Sequence, residues 1–264
     1  MKTRVISGLI MLPLLVILYL GGYVLFAACL LIGVLGVREF YKGFETMGLK
    51  PNFILACIAA VALYGLELLG ERYEWYMLWF FGVVLVSLLY LFNIEARKLE
   101  AAMATITGIF YVIFFSFHVT LTEQTGPYGN LVWLIVITAF GTDVMAYFSG
   151  YLLGKHKLCP KISPKKTIEG SVGGILGSVI LSGLFGYFFM PEILFHCLAI
   201  GALGGVVSQF GDLTASIFKR KMGIKDYGNL IPGHGGILDR FDSVLFTGPM
   251  VYYYIVLVIG YAPA

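Results

Sequence analysis

Charge is what this chain has least of. Asp, Glu, Lys and Arg make up 12% of its 264 residues, where a soluble globular domain carries roughly 25%. With 59% apolar residues and a mean hydropathy of +0.89, a water-soluble fold is excluded. Cysteine is scarce as well. The four present, Cys29, Cys57, Cys159 and Cys197, form no CxxC pair and three lie in apolar stretches, so neither a disulfide framework nor a zinc site is expected. Internal repeats and low-complexity tracts are absent. The apolar runs do not alternate with polar residues over about ten positions, which excludes a membrane β-barrel.

What is there is a series of apolar runs of roughly twenty residues, the length that crosses a bilayer as a helix. The expected architecture is all-α and polytopic, with about nine spans: Val5–Leu20, Tyr23–Val37, Pro51–Leu69, Trp75–Ile94, Ala101–Leu121, Leu131–Leu153, Ser171–Phe189, Ile193–Phe218 and Ser243–Ile259. The first two must be separate, because one helix of that combined length would reach about 50 Å across a core of about 30 Å. Gly21-Gly22 is the expected break. Nine spans with a cytoplasmic N-terminus place 17 of the 18 basic residues inside, against 15 when the first two are merged, and the positive-inside rule favours the former. The first span is read as an uncleaved anchor, since no small-residue cleavage site follows Leu20. Residues 1–130 are expected to hold about five spans, and 131–264 a catalytic membrane region with two cytoplasmic loops, 154–170 and 219–242.

The 21 Phe and 17 Tyr suit lipid-facing helices and interfacial belts, and no nucleic-acid partner is expected. Glu39 and Glu67 fall at helix ends where a carboxylate can reach water, and His118 is read as a helix-packing residue. The second half differs. Asp143 and Asp212 lie within spans, roughly 18 and 10 Å from the cytoplasmic edge at a helical rise. Facing lipid there would cost at least about 2.5–3.5 kcal/mol, so both should face a polar cavity.

Ser216 to Asp242 reads SIFKRKMGIKDYGNLIPGHGGILDRFD, a polar island with eight charged residues. Its glycines are expected in or just before the first turn of the last helix, where free backbone N–H groups favour a phosphate. Asp239 and Asp242, three apart, would share a helical face. Two carboxylates beside a phosphate repel it unless a cation intervenes, which points to oxygen-ligated Mg²⁺. Helix capping would account for these two aspartates alone. It does not account for Lys219, Arg220, Lys221 and Lys225 in the same loop, or for the intramembrane Asp212.

The island resembles, position by position, the signature of the phosphatidate cytidylyltransferase family, the CDP-diacylglycerol synthases: Ser216, Lys219-Arg220, Lys225-Asp226, Gly228, Pro232, His234-Gly235-Gly236, Asp239-Arg240 and Asp242. Ser163-Pro164-Lys165-Lys166-Thr167 with Glu169-Gly170, and the stretch Asp143 to Gly150, resemble the family more loosely. The topology and short loops point to a multi-pass protein of the cytoplasmic (inner) cell membrane, and the compactness to a bacterial one. The resemblance implies conversion of CTP and phosphatidate to CDP-diacylglycerol and pyrophosphate with Mg²⁺, and a homodimer. On that basis Asp212, Asp239, Asp242 and Asp143 are the expected metal ligands, with room for a second cation. Asp212, Lys225, Asp226, His234, Asp239 and Arg240 are the expected catalytic set. Ser163, Lys165, Lys166, Thr167, Ser216, Lys219, Arg220, Gly235 and Gly236 would bind substrate. Two rivals remain: a CTP-dependent polyprenol or phytol kinase, and an ion-coupled transporter, against which the one-sided charge distribution argues.

Overall fold

A computed structural model describes residues 13–70, 72–93, 95, 97–230 and 235–261. Apolar helices dominate, as the composition requires: α1 (Gly22–Glu45), α2 (Phe53–Leu69), α3 (Tyr73–Leu89), α4 (Leu99–Glu123, with a π-helical stretch Ile109–Phe114), α5 (Val132–Leu153), α6 (Ile168–Phe189), α7 (Leu194–Lys221), the four-residue α8 (Leu238–Phe241) and α9 (Val244–Tyr254, ending in a π-helical turn). Six helices are long and apolar enough to cross a membrane, and Phe53–Leu69 and Val244–Ile259 are shorter apolar helices. These eight coincide with eight of the nine expected spans. Of the ninth, Val5–Leu20, only residues 13–20 are described. They are helical, and the helix stops at Gly21-Gly22, where φ is +58° and +50°. Only glycine enters that region without steric cost, so the break falls at the anticipated pair.

Among the described residues, one hairpin departs from an all-helical pattern. Within the loop 154–170, β1 (Lys157–Cys159) pairs antiparallel with β2 (Ser163–Thr167), Lys157 opposite Thr167 and Cys159 opposite Ser163. Strands of three and five residues, one containing Pro164, are too short to show a period-two pattern. Thr167 then starts α6 as its N-cap, its hydroxyl accepting the Gly170 N–H at 3.1 Å, a bond that satisfies one of the orphan donors of a first helical turn.

The chain divides into two compact units, residues 1–117 with 221–240, and residues 118–220 with 241–264. In the first, Phe40 on α1 is fully buried and Tyr41 donates to the Thr105 carbonyl at 2.6 Å. The returning segment 221–240 lies on α1: Thr46 Oγ1 donates to the Met222 carbonyl at 2.8 Å, and the Tyr227 ring is 6.0 Å from that of Phe40. In the second, α5 and α6 approach closely because α6 presents small residues; a Cβ on Gly174 would stand 3.0 Å from the Thr142 carbonyl oxygen, which cannot yield. Close backbone approach through glycine is how membrane helices gain contact without a hydrophobic drive. His118 is buried there against the rings of Tyr252 and Tyr253, 5.5 and 5.3 Å away.

Candidate active site

In the second unit, helices and hairpin bring five expected residues into electrical contact. Asp143 comes from α5, Asp212 and Lys219 from α7, Lys166 from β2, and Asp242 from the turn before α9. Lys166 Nζ is ion-paired with Asp212 Oδ2, both side chains about a quarter exposed. Asp242 is almost fully buried. Burial pushes its carboxyl up, to about 8, with the carboxylates of Asp212 and Asp143 adding to the rise and Lys219 working against it. Desolvation disfavours the charged form and like charges do the same. A cavity of about 500 Å³ opens beside this group, lined among others by Asp143, Ser163, Lys165, Lys166, Ser171 and Gln209. Both Asp143 and Asp212 were expected to face a polar cavity; Asp143 lines this one, whereas Asp212 is joined to it through Lys166.

Two of those lining residues carry no mark in the sequence reading. Ser171 Oγ donates to Gln209 Oε1 at 2.5 Å, while Gln209 Nε2 donates to the carbonyls of Ser171 and Gly205 at 3.1 Å each. The pair ties α6 to α7 in the cavity wall. A glutamine inside an apolar helix was the available signal, since polar side chains at that depth bond across helices. Arg220 Nε donates to the Ile162 carbonyl of the hairpin at 3.4 Å. Glu169 Oε1 pairs with His156 Nδ1 at 2.6 Å. Thr167 is committed to capping, and Ser216 is half-buried on α7.

The first unit holds the rest of the polar island. Lys225 and Asp226 are exposed, and His234 lies outside the described residues. Asp239 Oδ2 accepts the Tyr227 N–H at 2.8 Å and the Gly236 N–H at 3.0 Å. The Leu238 N–H is taken by Glu39 Oε2 at 2.9 Å. Free amides awaiting phosphate are thus not what this turn offers at 236 and 238, because two carboxylates already satisfy them. Glu39 corrects a second expectation: it is 8% exposed and turned inward, since backbone donors compensate its burial better than a helix end at the water interface would reveal from sequence. Arg240 Nε is buried with no hydrogen-bond partner among the described residues. The helical face expected for Asp239 and Asp242 is interrupted. α8 ends at Phe241, and the Ser243 N–H goes to Asp242 Oδ1 at 2.8 Å rather than back along a helix.

Comparison with known proteins matches residues 2–258 to a model described as the cytidylyltransferase family. A phosphatidate cytidylyltransferase of Synechocystis is 35% identical, with 97% of each chain covered. One of Staphylococcus epidermidis is 34% identical over 94% of this chain and 95% of its own, and one of Bacillus subtilis is 39% identical over 60% and 59%. These matches show that the chain belongs to the cytidylyltransferase family.

Proposed function

We propose that this protein makes CDP-diacylglycerol from CTP and phosphatidate. A phosphate oxygen of phosphatidate attacks the α-phosphorus of CTP, the new P–O bond forms as the bond to the β-phosphate oxygen breaks, and pyrophosphate leaves. A phosphate monoester is already anionic near neutral pH, so positioning and charge neutralisation supply most of the acceleration. The observation that carries this reading is the cavity of the second unit, where Lys165 and Lys166 stand with Asp143 and the Lys166–Asp212 pair, in a chain whose relatives bear the name phosphatidate cytidylyltransferase.

Asp143, Asp212 and Asp242 are the residues of that unit proposed to hold Mg²⁺. The donor set fits: the three carboxylates supply hard oxygens, and those of Asp212 and Asp143 add to the rise that burial produces in the Asp242 carboxyl. Among the described residues no three His, Cys, Asp or Glu side chains form a ready ligand cluster, yet Mg²⁺ is commonly held by one or two carboxylates and completes its shell with water and substrate phosphates. Bound there, the ion would neutralise charge on the triphosphate. Lys165, Lys166 and Lys219 would clamp phosphate oxygens, and Asp212 would orient Lys166. Nine spans, a cytoplasmic N-terminus, residence in the cell membrane and a homodimer belong to the same proposal, supported by the one-sided distribution of basic residues for the topology.

The test is turnover of radiolabelled CTP by purified protein in detergent with added phosphatidate. Labelled CDP-lipid and released pyrophosphate are expected. Release of CDP would identify a lipid kinase instead, and ion flux in vesicles without any CDP-lipid would identify a transporter.

A further inference from the structure

Glu39 stands 199 residues before the backbone group it binds, Leu238 N–H. Its carboxylate also lies against Gly228 and Gly236: a methyl group on either would fall within the van der Waals surface of Oε1 or Oε2. Asp239 Oδ2 in turn accepts the amides of Tyr227 and Gly236. Two carboxylates therefore share the amides of one loop. A buried carboxylate is costly unless hydrogen-bonded, and here the Ile237 amide adds a lesser bond to that of Leu238. Helix packing alone gives no reason to bury an acid at this place, since an apolar residue would fill the volume without that cost.

We infer that Glu39 is a positioning residue, which holds Gly228, Gly236 and Leu238 in place and thereby sets the direction of the Asp239 and Arg240 side chains during cytidylyl transfer. The inference rests on the reaction proposed above.

Full-length protein in detergent is assayed for pyrophosphate release, with kcat and KM for CTP measured separately. Glu39→Ala is expected to lower kcat on the order of 10²-fold, as misplacements of about 1 Å can, with little change in KM and a monodisperse sample. Glu39→Gln, whose amide oxygen still accepts the Leu238 N–H, recovers most of the lost rate. Gly236→Ala is slow on its own, but adding it to Glu39→Ala costs nothing further, because the new methyl group has no carboxylate left to strike. Wild-type kcat in Glu39→Ala, or fully additive losses in the double variant, would overturn the inference. If Glu39→Ala does not yield monodisperse protein, Gly236→Ala decides, and wild-type kcat there overturns it. A wild type that releases no pyrophosphate overturns the reaction assignment, and this inference with it; an active wild type with an indifferent Glu39 overturns the inference alone.

Discussion

Lys166 on the hairpin and Asp212 on α7 are joined as an ion pair, and Lys166 lines the cavity of the second unit. The lysine is thereby held by a carboxylate rather than left to sweep the membrane surface. A cation fixed beforehand costs less entropy when it meets a phosphate. The pair also balances the charge of Asp212 near the buried Asp242.

From that arrangement, Lys166→Gln is expected to lower kcat/KM for CTP roughly 10- to 100-fold, the worth of one hydrogen bond to a charged group. Lys42→Gln, an exposed lysine of α1, serves as the comparison and loses far less. Steady-state kinetics at several CTP concentrations checks both, and equal losses would remove Lys166 from the site.

Asp239→Asn separates two roles. The asparagine oxygen can still accept the Tyr227 and Gly236 amides, so a residue that only braces the loop should tolerate the change with a small loss. A residue that binds a cation should not. Abolished turnover with intact expression and monodispersity is the expected outcome, measured by pyrophosphate release, and near wild-type rates would leave Asp239 a brace and nothing more.

The raised carboxyl of Asp242 gives a pH dependence. Its unfolded value is 3.8 and its folded value about 8, so between those limits the folded state holds a proton that the unfolded chain has lost. Stability then falls as pH rises through that window. In metal-free protein, the melting temperature should decline from about pH 5 to pH 8 and the decline should flatten in Asp242→Asn, which stays neutral. Added Mg²⁺ should restore the wild type at pH 8 and do little for the variant. A melting temperature indifferent to pH in both proteins would contradict the raised carboxyl of the buried Asp242.

The helices themselves were legible because membrane burial demands long apolar runs, and such runs are a property of consecutive residues. The Gly21-Gly22 break was legible for a similar reason, since only glycine takes those backbone angles cheaply.

Other features depend on partners far away in the chain. Glu39 read as a solvated helix end because nothing near it in sequence supplies the amides of Ile237 and Leu238. Gln209 read as one more helix residue because Ser171 belongs to another helix. The sequence by itself determined that this is a helical membrane protein with a charged, glycine-rich island, since composition and local spacing carry that information. Only the tertiary structure decided which amides the carboxylates occupy, which lysine meets Asp212, and that a hairpin shapes the cavity wall, because each of those is a contact between segments that local patterning does not connect.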